Sequence, residues 1–206
     1  MCIRDRTDTD HIKVSQGIFK KIHDDGGIYL GNYSGWYCAE CETFYTEKDL
    51  QDGNCPTHGK KAEWISEESY FFKMSAYTQR ILDYLEKNPT SVLPAGKRKE
   101  IINRVKGGLN DLSVSRVNVP WGIPVPINEK HTQYVWMDAL INYISGVGAF
   151  PPDSKSELKG FWPADVHLIG KDILWHHTAI WYSILLAAGI PLPKTVFVHG
   201  FINTVS

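Results

Sequence analysis

The sequence predicts an α/β protein in which a parallel strand–helix–strand unit is joined to a segment carrying a metal knuckle. Three observations predict it. Residues 165 onward run as strand "DVHLIG", helix "KDILWHHTAIWYSILLAAG" and strand "KTVFVHGF", the order of a parallel crossover unit. Residues 38 to 58 pair a C-x2-C with a C-x2-H after thirteen intervening residues. A length of 206 residues with 43% apolar content is enough for a packed core.

Taken in order, "MCIRDR" at 1 to 6 fits nothing that follows and is expected to be a non-native leader. Residues 10 to 26 place Ile12, Ile18, Phe19 and Ile22 on one helical face, with Asp10 as a cap candidate and Gly26-Gly27 as the stop. "IYLGNYSGWYC" reads as extended chain entering the knuckle and "AEWISEESYFF" as a strand leaving it. Helices are expected at about 74 to 88 and 97 to 107, separated by the loop "NPTSVLPAG". From 116 the texture is extended and proline-containing, before "YVWMDALINYIS" takes up helical spacing. The chain stops soon after an apolar strand, and both ends are expected to be incomplete.

A net charge of -1 gives no global attraction to polyanions, so nucleic acid would need a local patch such as "GKRK" at 96 to 99; that cluster reads equally as a solvated face. No apolar run is long enough for a membrane span, and a cytoplasmic, non-membrane protein is expected.

Cys38, Cys41, Cys55 and His58 offer three thiolates and an imidazole, a set suited to tetrahedral zinc. With four protein ligands no position is left for water, so the metal would be structural. Reduced buried cysteines, or a disulfide in a secreted protein, are the alternatives. Farther on, Ile173, His177 and Trp181 recur every four residues, and Trp136, Ala139 and Tyr143 form a second stripe with aromatic ends. The two stripes suggest an aromatic pocket with a polar rim; a buried core with one satisfied histidine is the competing reading. Gly170, Lys171 and Asp172 lie at a strand-to-helix turn, where Asp172 could hold a sugar hydroxyl or an ammonium, while Lys171 is either solvated or near a phosphate.

The ordered motifs "GWYCxxCExFYTEKDL", "CPxHG", "ESYFFKMSxY", "GLNDLSVSR", "WGIPVP", "YVWMDALINYIS", "HLIGKDI" and "VHGF" resemble the methionyl-tRNA synthetases, a family of class I aminoacyl-tRNA synthetases, from about residue 7 to 201. The resemblance implies a Rossmann catalytic domain interrupted by a zinc-binding connective-peptide insertion. Residues 7–28 would finish its first half, 29–130 form the insertion and 131–206 begin the second half. It implies ATP-dependent activation of L-methionine to methionyl-adenylate, with Mg2+, and transfer to tRNA(Met), with the knuckle placing the insertion over the site. Trp136, Ala139, Tyr143, Ile173, His177 and Trp181 would then hold the methionine side chain. Gly170 and Asp172 would face the ribose, and Lys171 the phosphates. The HIGH and KMSKS phosphate-handling signatures of the family are absent, and "KMSAY" at 73–77 stands inside the insertion rather than after the pocket helices. The 206-residue chain is therefore expected to be inactive by itself. A leucyl or isoleucyl type of synthetase and a stand-alone zinc-stabilised module that binds RNA or protein are the rival readings.

Overall fold

The computed structural model describes residues 7–38, 43–45, 47, 50–56, 59–117, 119 and 121–202. The expected leader at 1–6 and two of the predicted metal ligands, Cys41 and His58, lie outside the described residues.

Helix α1 (Thr9–Asp24) follows Asp8, whose extended backbone (φ -67°, ψ 137°) makes it the capping position. Asp10, the expected cap, sits in the first turn instead, where its carboxylate faces the positive helix end. Gly26 (φ 76°) supplies the left-handed residue that ends the helix. The buried face is His11, Ser15, Ile18, Phe19 and Ile22, so the expected Ile12 is only half-buried. Two polar residues take its place because each finds a partner in the core. His11 Nδ1 lies 2.7 Å from Ser145 Oγ, and Ser15 Oγ donates to Gln133 Oε1 at 2.7 Å.

Strands β1 (Ile28–Cys38), β2 (Thr43–Tyr45) and β3 (Glu63–Phe72) build a long antiparallel hairpin, Ile28 opposite Phe72 and Tyr37 opposite Glu63. Its base is core, with Ile28, Tyr70 and Phe72 buried, while Trp64 near the tip is 60% exposed. On one face Phe71 stacks between Tyr29 and Tyr33, ring centroids 5.7 and 6.2 Å away, with Gly31 leaving room for it.

A 3-10 turn, Met74–Tyr77, leads into α2 (Thr78–Lys87), so "KMSAY" is the entry to a helix, with Met74 buried in the core. Strand β4 (Val92–Leu93) and α3 (Ala95–Lys106) follow, then β5 (Leu112–Ser113), which extends the hairpin sheet to the order β2-β1-β3-β5. Strands β6 (Ser115–Arg116), β7 (Pro124–Val125) and β8 (Asn128–Gln133) form a small antiparallel sheet ordered β6-β8-β7. Helix α4 (Val135–Ser145) continues from β8 and packs on α1.

The parallel unit is present as predicted. Strand β9 (Val166–Gly170) pairs with β10 (Thr195–His199), which also pairs in parallel with β4, giving the order β4-β10-β9. Residues 92–93, inside the stretch expected as insertion, thus join the parallel sheet. The connecting helix is not uniform: a 3-10 turn (Lys171–Ile173) and a π turn (His176–Ile180) precede α5 (Trp181–Ala188). Side chains of His177 and Thr178 engage the Ile173 and Leu174 carbonyls at 3.0 and 2.7 Å, competing with the regular ladder where it widens.

Candidate active site

Strand β9 points its carboxyl end at Gly170, and the chain turns there into Lys171–Ile173. A Cβ on Gly170 would lie 2.7 Å from Asp172 Oδ1, so the Asp172 carboxylate folds back over Gly170 and a larger residue there would make it swing aside. Lys171 and Asp172 are both exposed.

Behind this turn the two predicted stripes meet. Ala139 (1% exposed), His177 (2%) and Trp181 (0%) are buried, Trp136 and Ile173 are half-buried, and Tyr143 stands at the rim at 39%. His177 Nδ1 lies 3.0 Å from the Ile173 carbonyl, which can only accept, so the ring proton sits on Nδ1. Nε2 is then left to accept from Tyr143 Oη–H at 3.0 Å. Burial pushes the His177 pKa down and the Tyr143 pKa up, so both stay neutral and this donor order holds. The Tyr143 ring lies 5.7 Å from that of His177 and 6.1 Å from that of Trp181. The three groups therefore form one wall, apolar below and hydrogen-bonded above.

Trp136 joins through a neighbour that periodicity passed over. It stacks on His176, ring centroids 3.8 Å apart and 25° between planes, because the π turn brings residue 176 toward α4. His176 is held below its usual pKa by burial, then by His177 and Arg104. His167 was missed as well: on β9 it shares the buried face with Ile169, and its ring centroid lies 4.3 Å from that of Tyr143. Trp162, 5.9 Å from His167 and 6.0 Å from Trp181, closes the same wall. The alternation of His167 and Ile169 with the exposed Val166 and Leu168 along "VHLIG" was the available signal. His167 Nε2, His176 Nδ1 and Trp181 Nε1 are buried with no hydrogen-bond partner among the described residues, so the wall carries three unengaged polar atoms.

Beside the turn lies a cleft of about 60 Å3 lined by Lys171, Asp172, Leu174 and Trp175 on one side and Glu100, Ile101 and Arg104 of α3 on the other. The Arg104 guanidinium lies 3.8 Å from the Trp175 ring centroid, and Lys171 Nζ 4.3 Å from that of Phe201. The "GKRK" cluster is not the cation source here. Lys97 pairs with Glu100 at 2.6 Å, and Arg98 donates to the Leu85 carbonyl at 2.9 Å.

At the hairpin tip, Cys38 and Cys55 are each 1% exposed although Trp64 nearby on β3 is open to solvent. Cys55 begins a tight turn, with Cys55 N–H donating to the Lys60 carbonyl and Gly59 N–H to the Cys55 carbonyl, both at 2.8 Å. Gly53 (φ 78°) and Gly59 (φ 64°) take the left-handed conformations it needs. Cys38, at the end of β1, and Cys55, at the start of this turn, are thus two buried thiols of the hairpin tip. Among the described residues no group of three metal-ligating side chains is gathered, Cys41 and His58 being outside them.

The family model for class I tRNA synthetases (M) matches residues 4–63 and 46–206. The methionine--tRNA ligase of Caldanaerobacter subterraneus subsp. tengcongensis is 49% identical over 196 residues, covering 95% of this chain and 31% of that protein. That of Clostridium tetani is 50% identical over 197 residues, with 95% and 31% covered. The crystal structure of Mycobacterium tuberculosis methionyl-tRNA synthetase bound by methionyl-adenylate superposes with a TM-score of 0.84 at 45% identity, covering 95% of this chain and 39% of that one. The chain thus spans about a third of the length of the relatives it matches.

Proposed function

Because the chain belongs to the methionyl-tRNA synthetase family of class I tRNA synthetases, we propose that it supplies the methionine pocket and part of the ATP site of an enzyme that activates L-methionine and charges tRNA(Met). The observation that carries this is the Tyr143–His177 pair, a neutral donor and acceptor 3.0 Å apart over the buried indole of Trp181. A thioether is apolar and polarisable, so Trp136, Ala139, Ile173 and Trp181 suit its chain, and the polar pair suits its sulfur. An aliphatic rival cannot use the polar contact, and apolar fit alone separates side chains by only about 1–3 kcal/mol per methylene.

In the reaction the methionine carboxylate attacks the α-phosphorus of ATP, forming the acyl-phosphate bond as pyrophosphate leaves; the terminal ribose hydroxyl of tRNA then displaces AMP. Neither step needs a covalent enzyme intermediate, so the protein acts by positioning and electrostatics. Asp172, whose carboxylate lies over Gly170, would accept from ribose hydroxyls, and Lys171 would face the phosphates. Residues 29–130 would be the connective-peptide insertion, tied to the catalytic sheet by β4. Cys38, Cys41, Cys55 and His58 would hold zinc, which when bound supplies a structural crosslink at the hairpin tip. A cytoplasmic location accords with this role, and among the described residues no helix is long and apolar enough to cross a membrane.

The test is methionine-dependent ATP–pyrophosphate exchange by the full-length protein carrying this segment. Methionine is expected to support exchange, leucine and isoleucine are not, and His177→Ala is expected to raise the methionine KM about tenfold or more with little change in the ATP KM. Exchange driven by leucine, or equal effects on both substrates, would sink the assignment.

A further inference from the structure

A polar seam, buried from His131 inward, runs between the hairpin base and the strand that launches the pocket helix. It begins at Glu68 on β3, whose Oε1 lies 3.2 Å from His131 Nε2 on β8. His131 Nδ1 lies 3.0 Å from Ser115 Oγ on β6, which also accepts the Tyr70 N–H at 2.8 Å. Ser69 Oγ donates to the Ser115 carbonyl at 3.0 Å and lies 2.6 Å from Ser113 Oγ, which accepts from Arg116 at 2.7 Å. Arg116 in turn covers the Tyr134 ring at 4.5 Å, and Tyr134 is the capping residue of α4.

One proton arrangement satisfies the histidine and its neighbours. A proton on His131 Nε2 donates to the Glu68 carboxylate, Nδ1 accepts from Ser115 Oγ–H, and the Ser115 oxygen accepts from Tyr70. Ser115, Ser69 and His131 are at most 2% exposed, so breaking this chain leaves buried polar atoms unpaired. The sequence of contacts Ser115, His131, Glu68 resembles a hydrolytic triad, but Ser115 is 0% exposed, so no acyl group can reach it. What the seam can do is mechanical. Backbone bonds run parallel to it, Val114 N–H to the Tyr70 carbonyl (2.8 Å) and Tyr134 N–H to the Val114 carbonyl (2.9 Å), so the hairpin base is coupled to the first turn of α4, two residues before Trp136.

We propose that His131 is a positioning residue: it clamps the base of the hairpin to β8 and thereby sets where α4 presents Trp136, Ala139 and Tyr143 to methionine. The proposal rests on the methionine reading of the pocket. It makes the hairpin a determinant of amino-acid affinity, although no hairpin residue is among those predicted to hold the side chain.

The test compares His131→Ala and His131→Asn in the full-length enzyme, since the asparagine carbonyl can still accept from Ser115. His131→Ala is expected to raise the methionine KM about tenfold while the ATP KM moves less than about twofold, with His131→Asn recovering most of the loss. A folded His131→Ala enzyme with unchanged methionine KM, or an asparagine variant as impaired as alanine, would overturn the proposal. Should His131→Ala not fold, Glu68→Ala decides: Glu68 is half-exposed, and a methionine-selective rise supports the clamp whereas none overturns it. Absence of methionine-dependent exchange in the wild-type enzyme would instead defeat the functional reading. In that event hydrogen exchange at the Tyr134 and Val114 amides judges the clamp, faster exchange in His131→Ala supporting it and unaltered protection overturning it.

Discussion

The Tyr143 hydroxyl is the residue-scale feature on which the pocket's polarity turns. Because His177 spends its Nδ1 proton on the Ile173 carbonyl, its Nε2 depends on Tyr143 for a donor. Tyr143→Phe is expected to leave Nε2 unpaired, loosen the imidazole and raise the methionine KM by about tenfold, a loss of order 1–2 kcal/mol. Steady-state kinetics over methionine and ATP separately would check it; an unchanged methionine KM would show that His177 needs no partner at the rim. Gly170→Ala tests the turn proposed to face ATP. A methyl group 2.7 Å from Asp172 Oδ1 would displace the carboxylate from over Gly170, so the ATP KM is expected to rise about fivefold with the methionine KM held. Of these residues, Tyr143, His177 and Trp181 were legible from helical spacing. His176 was not, since it depends on a π turn that period counting does not reveal; His167 was passed over although the period-two pattern of β9 places it on the buried face with Ile169.

Among the elements, the parallel unit and the hairpin strands followed from their patterns, while the helix between β9 and β10 did not. A period of four residues from Ile173 to Leu185 reads as one helix, yet the chain passes through a 3-10 turn and a π turn before α5. The cause lies in side chains bonding to carbonyls, which apolar periodicity does not encode. Polar residues on the buried face of α1 escaped for a related reason: His11 and Ser15 are paid for by partners more than a hundred residues away. The knuckle makes its own prediction at this scale. Among the described residues of the hairpin tip the buried core side chains are Cys38, Cys55 and Ala62, all 1% exposed, so a bound ion is expected to contribute to its order. Treatment with a chelator is expected to open residues 36–60 to protease before any other segment, and Cys55→Ser to do the same without chelator. Unchanged cleavage there after metal removal would argue that the tip holds itself.

For the molecule as a whole, the pocket's histidines make folding sensitive to acid. His167, His176 and His177 all have lowered pKa values, burial being the first cause for each, and His167 is held down to about 4. A histidine at its ordinary value of about 6.5 in the unfolded chain takes up a proton as the pH falls below that point, whereas buried His167 does not until about 4. The unfolded state therefore binds more protons throughout this window. Stability is full above about pH 6.5, is lost progressively as the pH falls, and changes no further below the folded value. Between about pH 7 and pH 5 the loss from His167 alone is about 2 kcal/mol. His176 and His177 act in the same direction. Denaturant unfolding across this range is expected to show the decline in wild type and a visibly shallower one in His167→Gln, which keeps a polar side chain but cannot titrate. An equal slope in the variant would place the acid sensitivity outside the aromatic wall. Such sensitivity is the counterpart of the pocket's chemistry, because the burial that keeps His177 neutral enough to accept from Tyr143 is the burial that resists protonation of all three rings.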